Sequence, residues 1–570
     1  MSATSRVWLS LGLSLIFHTA VAAPAATPDA RFDTLAKSYL DELVKARPHV
    51  ATELGIHTED ARLDDLSTAG RARDLLRIGR WQKRLVAVDA KALSPSRQRD
   101  LTMLRAAVDA QRFELDKVQS WRHWPGHYTQ LASASIYTLI KRTFALPEQR
   151  LQAVIARERQ IPGMLRAGAT QLGEVPRVAL DITLDQMPGM IDFFRSDVPR
   201  AFVDVKDAKL VGQLQLVTKE VVAALVDYER FLRSEIAPRA DAPFALGEAR
   251  YKEKLRLEEM VDEPLDSLLA RGEAELHRLQ AELLTTAAKV DAKRDPRQVL
   301  LESQAQHATA ANLLTHVSSR LAGLRAFLVD HDLVTVPSPV MPRVEETPAF
   351  MRATTLASME TPGPFEATAT EAYFNVTLPD PKWSAAEAES YLRGAFSNGV
   401  VDVTAVHEAF PGHYIQFLWL PKSSSLVRKV EGAGSNIEGW AHYCEQMMLD
   451  EGYGDGAPSL RLAQLQDALL RAARYVVGIR MHTRGMTLPE AIEFFQKEGY
   501  QDKSVATMEA RRGAGDPTYL VYTLGKLEIL RLREDYKKKL GANYTIKKFH
   551  DAFLAEGTLP LPLVRDALLH

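Results

Sequence analysis

Amphipathic helical periodicity is the feature that most constrains how this chain can fold. Beyond a short Ala/Pro segment at residues 24–28, apolar side chains recur at helical spacing up to about residue 330. One such series steps by three or four residues and would line a single helix face: Leu210, Leu214, Val217, Val221, Leu225, Tyr228 and Leu232. We therefore predict a mainly α protein, a large multi-helix fold with a catalytic cleft.

Individual helix starts can also be placed from the sequence. Ser94-Pro95 supplies a capping hydroxyl and a first helical residue, which predicts a helix through about Val108. Pro264 is expected to open a second long helix, whose apolar face is formed by six leucines: Leu265, Leu268, Leu269, Leu276, Leu279 and Leu283.

Composition narrows the possible partners. The chain has 570 residues, of which 46% are hydrophobic, which is enough to build a large core. Its 71 basic and 73 acidic side chains nearly cancel, so no overall field favours nucleic acid or an anionic membrane. We expect no nucleic-acid partner, and the oligomeric state stays open.

The N-terminus has the pattern of a secretory signal peptide. Arg6 precedes an apolar stretch at residues 7–17, and Ala20-Val21-Ala22 offers small residues for cleavage after Ala22. The stretch is shorter than the roughly 20 residues of a spanning helix, and no later one is long enough, so we expect no membrane span in the mature chain. We predict a periplasmic or secreted protein. The only cysteine, Cys444, lies far from the signal, which leaves neither a lipid-attachment cysteine nor an intrachain disulfide.

We predict that the mature chain, residues 23–570, forms one large, mostly helical catalytic domain. Its helical N-terminal part covers residues 30–330, and a part that carries the metal site covers residues 331–570.

Residues 407–413 place two imidazoles and a carboxylate close together in the sequence. A catalytic zinc needs neutral imidazole ligands, an open position for water and a carboxylate beside that water. His407 and His413 could supply the ligands, and Glu408 the base. A spacing of six rotates the second histidine by about 240° on an unbroken helix, so both could not face one ion. Pro411 and Gly412 predict a break between them. The alternative is a helix end with two unrelated histidines.

A third ligand is expected on the next helix, which we predict to begin at Asn436. Glu438 is the candidate, because a zinc site with two histidines needs an anion to complete three protein ligands. Ser435 and Glu438 also fit a capping box, which is the alternative use of this carboxylate. His442 and Glu445 would share its helix face. Either could join the metal, but we favour a place behind a ligand or plain packing.

A short β element is predicted near residues 370–378. Prolines and glycines interrupt the helical period between Val334 and Pro381, and residues 372–378 are β-rich in composition. An exposed strand edge beside a catalytic zinc would hold an extended peptide by main-chain hydrogen bonds. Tyr373 and Asn375 are therefore candidate substrate-binding residues. A short structural strand is the alternative.

Several ordered motifs carry a family resemblance. The chain resembles the domain of unknown function 885 family, a zinc-metallopeptidase-like family, most densely from about residue 347 to 533. The matching segments are residues 347–352, 362–365, 373–376, 407–416, 438–441 and 522–525. The resemblance implies a large, mainly helical fold with one zinc ion. It makes His407 and His413 the motif histidines, Glu408 the general base and Glu438 the ligand on the following helix.

The chain also departs from the family pattern. It has Ala409 where glycine is usual, Tyr414 where a histidine is frequent, and His442 where leucine is common. Nearer the C-terminus, Gly478 stands in place of an expected aspartate, and Asp516-Pro517-Thr518 replaces the usual Pro-Gly-Gln. These changes leave the predicted metal ligands intact.

Together these features predict an exported zinc-dependent peptidase that hydrolyses short peptides. Glu408 would take a proton from the attacking water, and Tyr522 would donate to the developing oxyanion. Arg511 or Arg512 would hold a substrate carboxylate. One alternative is an amidase or amide-forming enzyme that acts on a non-peptide metabolite. Another is a non-catalytic metal- or peptide-binding protein, which the presence of Glu408 disfavours.

Overall fold

The computed structural model describes residues 26–352 and 355–570, so the predicted signal peptide at residues 1–22 lies outside the described residues. The structure is 70% helical, which confirms the mainly α fold. In the N-terminal part the helices are α1 Pro28–Ala46, α2 Pro48–Glu53, α3 Thr68–Val86, α4 Pro95–Phe113, α5 Ser120–His123, α6 Gly126–Lys141, α7 Pro147–Glu158, α8 Ile161–Gln171, α9 Arg177–Asp192, α10 Val198–Arg200, α11 Ala208–Phe231, α12 Glu248–Glu258, α13 Leu265–Val290, α14 Pro296–Ser303 and α15 Leu313–Asp330.

Helices resume after the irregular segment, as the sequence predicts. They are α16 Ala385–Phe396, α17 Asn398–Glu408, α18 His413–Trp419, α19 Leu426–Val430, α20 Gly434–Asp450, α21 Pro458–Thr483, α22 Leu488–Lys497, α23 Lys503–Gly515, α24 Val521–Leu540, α25 Ile546–Ala555 and α26 Leu561–Leu569. No helix of the described residues has both the length and the apolar character required to cross a bilayer.

The helix starts predicted from capping signals are close to those observed. The Ser94 hydroxyl accepts a hydrogen bond from the Arg97 N–H at the start of α4, which runs past the predicted end to Phe113. Pro264 is the residue just before α13 rather than its first residue, a shift of one position. The apolar faces of α11 and α13 are buried, as their periodicity predicts.

The β element is a three-stranded sheet in the order β1, β3, β2. The strands are β1 Arg343–Glu346, β2 Ala357–Glu360 and β3 Tyr373–Val376. The predicted strand near residues 370–378 is present as β3, but the expectation that it offers a free edge is wrong. β3 pairs in parallel with β1 and antiparallel with β2, so both of its edges are occupied. The edge strand beside α17 and α18 is β2.

One hydrophobic cluster draws on both ends of the chain. It contains Trp81 of α3 and Leu104 of α4 together with Trp440 of α20 and Phe553 of α25, all nearly inaccessible to solvent. The helical N-terminal part and the part that carries the metal site therefore share a core. The division at residue 330 stays a prediction.

Two glycines let α20 and α24 pack with their backbones in contact. A Cβ atom added at Gly439 would lie 2.5 Å from the Cα atom of Gly525, and one added at Gly525 would lie 1.9 Å from the Ser435 carbonyl oxygen. Both glycines belong to segments that carry the family resemblance. Their close approach brings Glu438 of α20 and Tyr522 of α24 to the same cavity.

We expect Gly439→Ala to destabilise the protein by about 1–3 kcal/mol, because the added methyl group must push two backbones apart. Gly212→Ala in α11 is the matched control, since no described atom lies within 4 Å of its added Cβ. That change should stabilise the helix by up to about 1 kcal/mol. Denaturant unfolding of both variants measures the difference, and equal effects would show that the helix contact tolerates a methyl group.

Candidate metal centre

The chain turns sharply between the two histidines of the motif. α17 ends at Glu408 and α18 begins at His413, so the predicted helix break is present. The Gly412 N–H donates to the Val406 carbonyl, and a Cβ atom at Gly412 would lie only 1.8 Å from the His407 carbonyl oxygen. Only glycine fits this turn. As a result the two imidazole rings meet edge to face, with centroids 4.9 Å apart.

Glu438 completes a group of three facing ligand atoms. Its Oε2 atom lies 3.4 Å from Nε2 of His407 and 3.4 Å from Nε2 of His413. This oxygen is buried and accepts no hydrogen bond in the described part of the chain. A tetrahedral ion with bonds of about 2.0–2.2 Å requires ligand atoms about 3.3–3.5 Å apart. The three side chains therefore fit a metal ion, which would also satisfy the buried oxygen.

The structure rules out the capping alternative for Glu438. α20 begins at Gly434, with Ala433 as its N-terminal flanking residue, so Ser435 lies inside the helix. The carboxylate of Glu259 accepts hydrogen bonds from the N–H groups of Gly434 and Ser435, at 3.0 and 2.9 Å. This distant residue caps α20, which leaves Glu438 free to face the histidines.

Glu445 holds His407 from behind. Its Oε1 atom accepts a hydrogen bond from Nδ1 of His407 at 2.7 Å, and its Oε2 atom accepts one from Nδ1 of His442 at 2.9 Å. A guanidinium nitrogen of Arg471 lies 3.0 Å from Oε1. A hydrogen bond at Nδ1 fixes the imidazole so that the lone pair of Nε2 points toward Glu438. Burial lowers the pKa of His442 to about 3, so His442 is neutral and donates its single N–H.

Electrostatics around His407 favour a bound cation. Burial and the Arg471 charge act to lower the pKa of His407, but the carboxylates of Glu438 and Glu445 outweigh them and raise it to about 9. Burial acts to raise the pKa of Glu445, yet Arg471 and the two imidazoles hold it well below its usual range. The site without metal therefore keeps a proton on His407, which a metal ion would have to displace.

Glu408 lies at the wall of the same cavity, which has a volume of about 590 Å³. The cavity is also lined by His407, His413 and Glu438. Glu408 is 9% exposed, and none of the described residues forms a hydrogen bond with its carboxylate. Glu408 therefore lines the same cavity as the three candidate ligands, and its carboxylate can accept a hydrogen bond there.

Tyr522 faces the cavity from α24. Its ring stacks on His407 with centroids 6.2 Å apart, and its hydroxyl accepts a hydrogen bond from Arg512 at 3.0 Å. Burial raises the pKa of Tyr522 to about 12, so the hydroxyl keeps its proton near neutral pH. That proton is free to be donated to a bound molecule.

Of the four predicted substrate-binding residues, the structure brings Arg512 to this cavity but not Arg511, Tyr373 or Asn375. Arg511 forms an ion pair with Asp185 on the outside of α23. The Tyr373 hydroxyl donates to the Lys141 carbonyl, and the Asn375 amide donates to side chains of β2. Both are buried in the central strand β3, because pairing with β1 and β2 encloses them. Of the two candidate arginines, Arg512 lines the cavity and Arg511 does not.

Several polar residues of the cavity were missed from the sequence, among them Asp467 of α21. Arg471 and Arg474 of α21 and Glu509 of α23 line the cavity, and Arg474 binds Glu509 through two hydrogen bonds of 2.6 and 2.7 Å. α21 is otherwise a long, mostly apolar and buried helix. Two arginines one turn apart in an otherwise apolar helix are a signal that the sequence does contain. Buried guanidiniums need partners, so this pair could have indicated a polar cavity.

The family model for "Bacterial protein of unknown function (DUF885)" matches residues 48–568. The chain belongs to this family. Among curated proteins, none matches the sequence of this DUF885 chain.

Two solved structures share the fold. A "putative lipoprotein of unknown function" from Shewanella oneidensis is 25% identical, with a TM-score of 0.77 over 96% of this chain and 100% of that one. A "putative lipoprotein" from Colwellia psychrerythraea is 16% identical, with a TM-score of 0.80 over 95% of this chain and 99% of that one. The DUF885 chain therefore has a fold that these proteins share over their whole length.

Proposed function

We propose that this DUF885 protein is an exported zinc-dependent peptidase that hydrolyses peptide bonds in short peptides. One observation carries the proposal: Oε2 of Glu438 lies 3.4 Å from Nε2 of both His407 and His413, and one ligand atom from each of the three residues lies within 4.8 Å of the other two, as a bound ion requires. Two histidines and a carboxylate form a ligand set used by catalytic zinc, which leaves a fourth position open. Glu408 lines the same cavity, and its carboxylate has no hydrogen-bond partner among the described residues.

The chemistry divides between the metal and the side chains. When bound, zinc activates a water molecule and polarises a carbonyl group. Glu408 takes the proton of the attacking water and later passes it to the leaving amine. Glu445 keeps His407 in one orientation and one tautomer through the reaction.

Tyr522 donates to the oxyanion that develops at the scissile carbonyl. Its hydroxyl oxygen accepts a hydrogen bond from Arg512, so the hydroxyl proton remains available for donation to a bound substrate. The positive charge of Arg512 also favours negative charge at the phenolic oxygen. A donor held in place before the reaction does not have to reorganise during it.

Export is supported by two independent observations. The first 22 residues have the charged, apolar and small-residue pattern of a signal peptide. Two structurally similar proteins are described as lipoproteins, a class of exported protein. We propose a periplasmic or secreted location for this chain.

The test is metal analysis of the purified protein together with a peptide-library cleavage assay with and without chelator. We expect one zinc ion per chain and cleavage that chelator abolishes and zinc restores. Turnover of non-peptide amides alone would favour the amidase alternative. Stoichiometric zinc without any turnover would favour a binding protein.

Tyr522→Phe is expected to lower kcat by about 10²-fold, with a smaller change in KM, as for an oxyanion donor used mainly in the transition state. The ring stays in place, so its stacking on His407 should persist. Steady-state kinetics on a cleaved peptide measure both constants. An unchanged kcat would assign Tyr522 to packing alone.

A further inference from the structure

A second cavity continues from the one that contains the metal ligands. We call the first the metal cavity and the second, of about 660 Å³, the strand cavity. The two share four lining residues: Ser358, Met359, Phe417 and Ile437. Phe417 stacks on His413 with centroids 5.8 Å apart, and Ile437 precedes Glu438. The opening between the cavities therefore lies directly beside the metal ligands.

The strand cavity is suited to apolar side chains. Away from the shared opening, its wall is formed by Leu54, Tyr137, Phe350, Leu420 and Val430. Apolar and aromatic walls with a few polar groups are typical of small-molecule and peptide sites. Its size allows several residues of an extended chain.

One main-chain edge of β2 pairs with no strand among the described residues, and it lies between the cavities. The Leu356 carbonyl accepts a hydrogen bond from the Thr377 N–H, so Leu356 faces the β3 side of the antiparallel pair. Residues along β2 then point their main-chain groups alternately toward β3 and away from it. By that alternation, the N–H and C=O groups of Ala357 and Met359 point away from β3. Both residues line the metal cavity, so their main-chain groups can pair with a bound peptide.

The course of β2 gives that peptide a direction. The strand begins at Ala357, in the metal cavity, and ends at Glu360, in the strand cavity. Antiparallel pairing is slightly more stable per residue than parallel pairing. A peptide paired antiparallel to β2 would have its N-terminal part in the strand cavity. The C-terminal part would then lie in the metal cavity.

Charges give the same direction. Glu53 and Glu431 line the strand cavity, and neither forms an ion pair with a described residue. The two cations of this cavity are engaged elsewhere, since Arg142 donates to main-chain carbonyls and Lys429 lies over an aromatic ring. The guanidiniums of the metal cavity, those of Arg471, Arg474 and Arg512, are already paired with Glu445, Glu509 and Asp516, so they do not set the direction. The unpaired carboxylates of the strand cavity thus favour placing a peptide ammonium group there.

We propose that the strand cavity binds the residues N-terminal to the scissile bond of an apolar oligopeptide with a free N-terminus, paired antiparallel to β2. This assignment rests on the proposed function, because the metal centre defines the scissile bond. It extends that function by naming the substrate class and the direction of the bound chain.

The first test blocks the strand cavity. Ala134 of α6 lines it and is half-buried, so Ala134→Trp would fill it without touching the metal ligands. We expect the ratio of kcat/KM for an apolar hexapeptide over a tripeptide to fall by about tenfold or more. Ala386→Trp, on the exposed surface of α16, is the matched control and should leave the ratio unchanged. Circular dichroism and thermal melting check that both variants fold.

A binding measurement separates this assignment from the proposed function. Anisotropy of a labelled hexapeptide is recorded with the zinc-loaded Glu408→Gln protein, with and without Ala134→Trp. If the unaltered chain cleaves no peptide but Ala134→Trp weakens hexapeptide binding, the strand cavity is a peptide-binding site without a scissile bond, and the proposed function fails. If the unaltered chain cleaves both peptides and Ala134→Trp leaves their ratio unchanged, the assignment is overturned and the proposed function stands.

A second variant tests the direction of the peptide without changing the cavity volume. Glu53→Gln should lower kcat/KM for the free hexapeptide by about threefold, the range of a solvent-screened ion pair. The N-acetylated hexapeptide lacks the ammonium group and should show no such loss. Equal losses for the two peptides, or a larger loss for the acetylated one, would overturn the proposed direction.

Discussion

Glu408→Gln is expected to lower kcat by about 10²- to 10⁴-fold while zinc stays bound, which is the range of a positioned general base. That loss corresponds to roughly 3–5.5 kcal/mol of barrier. Glutamine has nearly the same size as glutamate but cannot take a proton from water. The three ligand atoms of the neighbouring side chains are unchanged, so neither metal nor substrate binding should suffer.

The measurement combines zinc content, peptide binding and turnover on one preparation. Glu220→Gln, on the exposed face of α11, makes the same chemical change away from the cavity and should retain full activity. Activity of the Glu408 variant within a few-fold of the unaltered chain would remove this residue from the mechanism. Loss of zinc together with activity would instead make Glu408 a ligand.

Helices were the most predictable part of the fold because their signals are local. The three- and four-residue steps of α11 and the capping serine of α4 depend only on neighbours in the sequence. Strand pairing is not local. The composition of residues 372–378 predicted β3, but no nearby residue indicates that β1 and β2 flank it. The expected free edge consequently belongs to β2, and the substrate roles assigned to Tyr373 and Asn375 lost their basis.

The turn between the two histidines was predictable because the sequence places helix-breaking residues there. A proline and a glycine between two histidines at a spacing of six favour a turn that brings both rings together, and the structure has that turn. The role of Glu438 was undecided from sequence, since a capping box and a ligand share one pattern. Glu259, far away in the sequence, caps α20, which excludes the capping role and leaves the metal-ligand role as the proposal.

The surroundings of the ligands were less accessible from the sequence. Glu445 was expected behind a ligand or in plain packing, and it hydrogen-bonds His407. Its contact with Arg471 joins α20 to α21, and no local spacing in the sequence indicates that contact. Arg511 and Arg512 differ by about 100° in direction on α23, but the sequence does not show which direction faces the cavity. In the structure Arg512 lines the cavity, whereas Arg511 pairs with Asp185.

The second large effect is expected at Glu438. Glu438→Ala removes the only anionic member of the three candidate ligands, so zinc affinity should fall by more than about 100-fold. That loss exceeds the usual effect of removing a residue that hydrogen-bonds a metal ligand without contacting the metal. The remaining histidines would face a cavity in which one coordination position has no protein atom. Glu445→Gln is the matched comparison, because it changes a buried carboxylate that touches His407 without facing the ion.

For Glu445→Gln we expect a loss of zinc affinity of about 10- to 100-fold, with full loading still reached at high zinc concentration. Competition with a chromogenic chelator measures both affinities, and elemental analysis gives the zinc content after dialysis. Glu438→Ala should emerge nearly free of zinc, whereas Glu445→Gln should retain part of it. Full zinc content in the Glu438 variant would exclude Glu438 as a ligand. Because the capping role already belongs to Glu259, that result would make His442 and Glu445 the next residues to test as ligands.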